Sequence, residues 1–175
     1  MGCTKTEREI SMPKALAPID DDFFSTAGLV LPVTIDVPHS PDQVWAALAS
    51  DQMGAWIPGL DRAEWLSPRP LGPGARRTVR LARLITLHED WYTWDEPHRA
   101  TFRVDAISVR LVSGWAEDFR LEALPAGGTR LHYRMALDSR LLRLVKIPNR
   151  LQPAVIRFTQ RLIGGITTIL PAPGG

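Results

Sequence analysis

Ser40-Pro41-Asp42-Gln43-Val44-Trp45-Ala46-Ala47-Leu48 follows directly on the alternating run from Leu29 to Val37. Ser40 can cap a helix whose first position suits Pro41, and Gln43, three residues on, can reach back to close a capping box. A strand therefore ends at Pro38 and a short helix starts at once. Helical spacing of that length does not return until the end of the chain, and the residues between read as strands. A strand, a small helical insert, a run of antiparallel strands and a terminal helix predict a curved sheet wrapped around a helix. Such a shape encloses a pocket.

Outward from that helix, 52–57 predicts a second short helical turn, stopped by Pro58-Gly59. Strands are predicted at 63–67, 75–81, 85–94, 99–106, 112–123 and 129–138, separated by breaker-rich turns such as Pro68 to Gly74, Asp95-Glu96-Pro97 and Pro125-Ala126-Gly127-Gly128. With 29–37 they make seven. Leu151, Val155, Phe158, Leu162, Ile166 and Ile169 advance by three or four, the apolar stripe of a closing helix. Gly164-Gly165 within it either admits a close neighbour, sheet or ligand, or kinks the helix. Residues 1–27, polar and broken by Pro13 and Pro18, are expected as a mobile leader with Phe23 and Phe24 docking on the domain. The domain then spans 28–171, with a short tail at 172–175.

Alternation assigns the faces of the sheet. One carries Phe102, Val104 and Ala106, then Trp115, Glu117, Phe119 and Leu121, then Leu131, Tyr133, Met135 and Leu137. The other carries Arg103, Asp105, Asp118, Arg120, Glu122, Arg130, His132 and Arg134, mixed charges suited to cross-strand pairing on a solvated surface.

Composition narrows the function. At 175 residues, 45% hydrophobic and 23% charged, the chain suits one soluble domain with a real core. A net charge of +2 is too small to argue for nucleic acid. Cys3 is the only cysteine, which excludes an internal disulfide or a cysteine-based zinc cluster. No apolar run approaches the ~20 residues that span a bilayer. Lys5, Glu7, Arg8 and Glu9 break any signal-peptide core, although Met1 to Thr6 fits the loose myristoylation pattern. The arginine-rich basic set, with Lys only at 5, 14 and 146, reads as bacterial, and the cytoplasm is the expected compartment.

The capped helix after an N-terminal strand, Trp56-Ile57-Pro58-Gly59, the Gly72-Pro73-Gly74 turn, the Glu89 to Pro97 segment and Gly127-Gly128-Thr129-Arg130-Leu131 together resemble the START-like SRPBCC superfamily, specifically its polyketide cyclase/dehydrase group. The resemblance implies an α+β helix-grip fold, with a seven-stranded antiparallel sheet gripping the C-terminal helix around a hydrophobic cavity. Members include aromatase/cyclases and lipid or hormone binders. The family has no universal catalytic motif, so no catalytic residue transfers by match.

The residues themselves nominate a site. Alternation through Ile85, Leu87, Glu89 and Trp91 aims Glu89 inward, and the same parity puts Glu117 between Trp115 and Phe119, with Tyr133 joining them. Two carboxylates and a phenol in an apolar cavity suit acid/base chemistry, with burial raising the carboxylate pKa values. Cyclisation or dehydration of a polyketide-type substrate needs such a set. Alternatively each carboxylate pairs with an arginine, such as Arg80 or Arg83, or lies at the cavity mouth in water, and a strand bulge would reverse the parity. Trp56, Trp91, Phe102, Trp115, Phe119, Met135, Phe158 and Leu162 are candidates to line a site for a greasy or flat ligand, or simply to fill the core. His39, His88, His98 and His132 lack ligand spacing, so neither a metal nor a cofactor is expected. No phosphate loop or nucleophile elbow occurs. The basic segment 139–161, with Arg140, Arg143, Lys146, Arg150, Arg157 and Arg161, fits either a solvated face or a transient contact with a membrane surface or an acidic carrier protein. The leading function is binding of a hydrophobic, polyketide- or lipid-like small molecule, with cyclase/dehydrase catalysis as a subset. A non-enzymatic carrier or sensor competes with it, as does an interaction module using the exposed sheet.

Overall fold

The structure, a computed structural model, describes residues 13–144 and 152–170. The first twelve residues with Cys3, then Lys146, Arg150, Leu151 and the 172–175 tail, lie outside the described residues. The chain runs β1 (Lys14–Ala15), α1 (Phe23–Thr26), β2 (Leu29–Val37), α2 (Pro41–Leu48), α3 (Met53–Trp56) and β3 (Leu60–Trp65). It continues β4 (Ala75–Leu81), β5 (Ile85–Asp95), β6 (Arg99–Ile107), β7 (Gly114–Ala123), β8 (Thr129–Asp138), α4 (Arg140–Leu144) and α5 (Gln152–Gly164). Seven antiparallel strands lie in the order β2-β8-β7-β6-β5-β4-β3, so β2 and β3 form the two edges. An eighth strand, the two-residue β1, pairs with β6 where β6 runs past β7.

The capping box forms as the sequence predicts. The Gln43 backbone N–H donates to Ser40 Oγ at 3.3 Å, and the Ser40 N–H donates to Gln43 Oε1 at 3.0 Å. Val44, Trp45, Ala47 and Leu48 of α2 are buried against the sheet. Strand limits agree with the sequence to within two residues, except that β3 begins at Leu60, three residues early.

One irregularity reshapes the core. The β5–β6 register shifts between Asp90 and Thr93. Leu87, Glu89 and Trp91 are buried inside, and past the shift Trp94 also turns in, three residues after Trp91 rather than two. There Trp94 meets Trp45 at 5.1 Å, Trp91 at 5.6 Å and Trp65 at 5.8 Å between ring centroids. Four of the six tryptophans thus pack as one cluster at one end of the core, where edge-to-face geometry adds to area burial.

The outer face carries the expected cross-strand charges, but one of them is not solvated. Asp118 is 1% exposed in its side chain and accepts hydrogen bonds from Arg99 (2.7 Å), Thr101 (2.8 Å), Arg134 (2.8 Å) and Arg120 (3.0 Å). Burial alone would raise its pKa, but the hydrogen bonds from Arg99, Arg134 and Thr101 outweigh that and hold the carboxyl below its usual range. Its cover comes from residues expected within the leader. Asp21 binds Arg99 at 2.7 Å and Tyr92 at 3.0 Å, while Phe24 is buried against Ala116 and Ala136 beneath the Arg134 guanidinium. Residues 13–27 therefore cross the outside of the sheet and bind to it.

Helix α5 lies along β2, and a 3-10 turn, Gly165–Ile169, continues it onto α2 and α3. In the predicted stripe Ile166 is buried while Phe158 is 68% exposed, and the side chains buried from α5 are Thr159 and Ile163. A Cβ on Gly165 would stand 2.7 Å from the Trp56 carbonyl oxygen, whereas Gly164 faces open space. The close approach is to α3, rather than to the sheet or a ligand. Gly165→Ala should therefore cost about 1–3 kcal/mol through overpacking. Gly164→Ala should be neutral or slightly stabilising, since Ala is the better helix former. Urea unfolding midpoints of the two variants check this, and equal effects would refute the contact.

Candidate functional site

The inner face of the sheet, α3 and α5 enclose a cavity of about 470 Å³. That falls in the range of small-molecule sites. Of the residues nominated by sequence, Glu89, Glu117, Tyr133, Trp56, Phe102, Trp115, Phe119, Met135, Phe158 and Leu162 all lie on its wall. Trp91 does not: it sits one layer back, tilted against Phe102 (4.8 Å) and stacked on Phe119 (6.2 Å). It supports the wall instead of forming it.

Alternation builds the apolar part. Leu29 and Leu31 from β2, Val79 and Leu81 from β4 and Leu87 from β5 project inward, and Val155, Phe158 and Leu162 approach from α5. Four titratable side chains join them: Arg77 from β4, Glu89 from β5, Glu117 from β7 and Tyr133 from β8.

Arg77 is the residue that sequence reasoning missed. It stands directly opposite Glu89 in the β4–β5 register and donates through Nε to Glu89 Oε2 at 2.7 Å. The expected partners Arg80 and Arg83 are not used; Arg80 instead donates to the Arg83 carbonyl at 3.1 Å. The missing signal was the hairpin register. Pairing Leu81 with Ile85 across the short turn brings Arg77 to Glu89, on the same face as Ala75 and Val79.

The pair is almost sealed, with Arg77 1% and Glu89 3% exposed in their side chains. Glu89 Oε2 also accepts from Trp91 Nε1 at 3.1 Å. The Arg77 guanidinium carbon lies 4.9 Å from the Trp65 ring centroid and 4.7 Å from that of Trp91, so aromatic faces replace part of its lost hydration. Arg77 Nη1 and Nη2 have no hydrogen-bond partner among the described residues.

Glu117 occupies a different setting. Its Oε1 accepts from Trp115 Nε1 at 3.0 Å, and Tyr133 stands beside it. Its pKa rises from 4.5 to about 7, first through burial and then through the negative charge of Glu89. Hydrogen bonds from Trp115 and Tyr133 and the charge of Arg77 oppose the shift without reversing it. Protein surrounds Glu117, and its remaining exposure opens on the cavity. The Tyr133 phenol is pushed well above its ordinary value, by burial and then by the charge of Glu117, and stays a protonated donor. The site thus holds a carboxyl that can give or take a proton near neutrality, a phenol that can donate, and an ion pair beside them. Among the described residues, no group of three or more His, Cys, Asp or Glu side chains could hold a metal ion. No described helix is long and apolar enough to cross a membrane.

Comparison with known proteins identifies the family and the fold. Residues 30–164 match the family model described as polyketide cyclase/dehydrase and lipid transport. The uncharacterized proteins Rv2574 of Mycobacterium tuberculosis and Mb2604 of Mycobacterium bovis are each 35% identical over 115 residues, covering 65% of this chain and 68% of theirs. Among solved structures, a START superfamily protein from Mycobacterium smegmatis has a TM-score of 0.64 at 10% identity, covering 81% of this chain and 96% of its own. Ara h 8.0201 has a TM-score of 0.60 at 15% identity, covering 80% and 95%. At such identities the likeness shows the fold alone: an α+β helix-grip architecture.

Glu117 makes stability depend on pH. Between about pH 4.5 and pH 7 the folded chain holds a proton there that the unfolded chain has released, so stability falls as pH rises through that window and then levels. With water in the cavity screening the charge, the loss is roughly 1–3 kcal/mol. Glu117→Gln, which cannot ionise, should flatten that part of the profile and be the more stable relative to the native chain above neutrality. Denaturant unfolding of both proteins across this range measures it, and parallel profiles would refute the assignment.

Proposed function

We propose that this chain, which belongs to the polyketide cyclase/dehydrase and lipid transport family, binds a hydrophobic polyketide- or lipid-like molecule in its cavity and performs acid/base chemistry on it. The observation that carries the reading is the convergence of Glu117, Tyr133, Glu89 and Arg77 on the wall of one otherwise apolar cavity. A pure carrier has no need of buried charges, which are costly to desolvate.

The chemistry that fits is cyclisation and dehydration of a chain bearing several carbonyl groups. Ionised Glu117 takes a proton from a carbon next to one carbonyl. The resulting enolate carbon attacks a second carbonyl of the same substrate, forming a carbon–carbon bond and an alkoxide. The newly protonated Glu117 returns that proton to the oxygen, giving a hydroxyl, while Tyr133 donates a hydrogen bond to the oxygen. Glu117, ionised again, takes a second neighbouring carbon-bound proton and delivers it to the departing hydroxyl, which leaves as water and restores the carboxylate. A group with a pKa near 7 suits both directions of transfer. Glu89, held by Arg77 and Trp91, is a positioning residue that sets the field at Glu117.

The non-enzymatic carrier or sensor is the second reading. It is favoured by Phe158, which lines the cavity yet is 68% exposed, as a residue at the mouth would be. Exposed Leu141, Leu144, Arg140, Arg157 and Arg161 lie in the 139–161 segment and suit a transient contact with an anionic membrane surface or an acidic carrier protein in the cytoplasm. Native mass spectrometry of the protein purified from its own host separates the readings. A co-purified polyketide converted by the native protein, with turnover reduced about 10²-fold or more in Glu117→Gln, is expected for the enzyme. A bound lipid released unchanged would favour the carrier. An empty protein that also ignores a hydrophobic dye would refute both.

A further inference from the structure

The charges around the cavity restrict what can enter it. Among the described residues, its titratable wall groups are Arg77, Glu89, Glu117 and Tyr133; β2, α3 and α5 contribute uncharged side chains such as Leu31, Trp56, Thr159 and Leu162. The fixed cation of Arg77 is already opposed by Glu89 at 2.7 Å. The wall is therefore electrically balanced when Glu117 carries its proton and holds one uncompensated negative charge when it does not. Glu117 is partly exposed and lines the cavity, so water in the cavity relieves that excess. An apolar ligand displaces this water. The ionised carboxylate then loses hydration without gaining a counter-charge, and protonation becomes the less costly state.

We propose that the cavity takes up an uncharged apolar ligand together with a proton, that Glu117 receives the proton, and that ionised carboxylates of the same size are rejected. The inference rests on the ligand-binding reading above and adds the charge class of the ligand. Arg77 Nη1 and Nη2 are buried beside the Trp65 and Trp91 rings, so they present no open cation to an incoming anion. A carboxylate would bring a second negative charge beside Glu89 and Glu117, a repulsion that selects against it. Acidity near the cavity favours loading, and alkalinity favours release.

Decanol and decanoate, matched in length and differing in charge, test this by titration calorimetry in phosphate and in Tris. At about pH 8 the native protein should bind decanol with uptake of nearly one proton, its affinity falling about tenfold per pH unit above neutrality. Glu117→Gln, which removes a charge and so should fold, is expected to bind decanol with no uptake and a flat pH profile. Decanoate should bind the native protein at least about tenfold more weakly than decanol. Decanol binding without proton uptake, equal uptake in Glu117→Gln, or decanoate binding as tightly as decanol would each overturn the inference while leaving the ligand site intact. Failure to bind decanol, decanoate and naphthol alike would overturn the ligand site itself.

Discussion

A pair of opposite charges, Arg77 and Glu89, is buried inside an apolar cavity, and much of the interior is arranged around it. Two ions removed from water are stable only with excellent geometry and further donors. The hairpin register sets them opposite each other, Trp91 adds an indole N–H, and the rings of Trp65 and Trp91 flank the guanidinium. The tryptophan cluster and the ion pair are thus one construction. The β5 irregularity serves it too, because only a shifted strand can bring both Trp91 and Trp94 inside.

The two carboxylates of the cavity differ because of this pair. Glu89 has the arginine; Glu117, with only neutral donors against it, feels Glu89 as a like charge. Two acids of the same chemical type are driven to different roles by one guanidinium placed nearer to one of them. On the opposite side of the sheet the ratio is inverted: Asp118 has three arginines, and the strap from 13–27 supplies Asp21 to share one of them. Glu117 and Asp118, neighbours in β7, are therefore treated in contrary ways, one poised for proton exchange inside and the other fixed as an anion outside.

What was legible in the sequence follows the range of the interaction. The capping box at Ser40 and Gln43 is local, and strict alternation in β7 and β8 needs only neighbours, so the inward aim of Glu117 and Tyr133 is written in their own strands. Arg77 was hidden because its meaning depends on the turn that sets register, two strands being needed to see it. Trp94 was hidden by a shift with no marker glycine. Gly165 could be suspected of a close approach, but its neighbour, the Trp56 carbonyl, is distant in sequence. Phe23 and Phe24 hinted that the leader touches the domain, whereas Asp21 gripping Arg99 and Tyr92 emerges only in three dimensions.

The sheet is open, and that has a consequence for the protein among its own copies. An unclosed sheet offers two rows of unpaired backbone groups on which another strand can assemble into aggregates. Here both borders are blunted. The β2 border carries Pro32, which has no N–H to offer, and its Thr34 carbonyl is met by Gln160 of α5 at 3.5 Å. The β3 border is six residues long, with exposed Asp61, Arg62 and Glu64. The helix that roofs the cavity thus also guards the seam where a neighbouring molecule would add a strand, so emptying or filling the cavity and staying monodisperse depend on the same element.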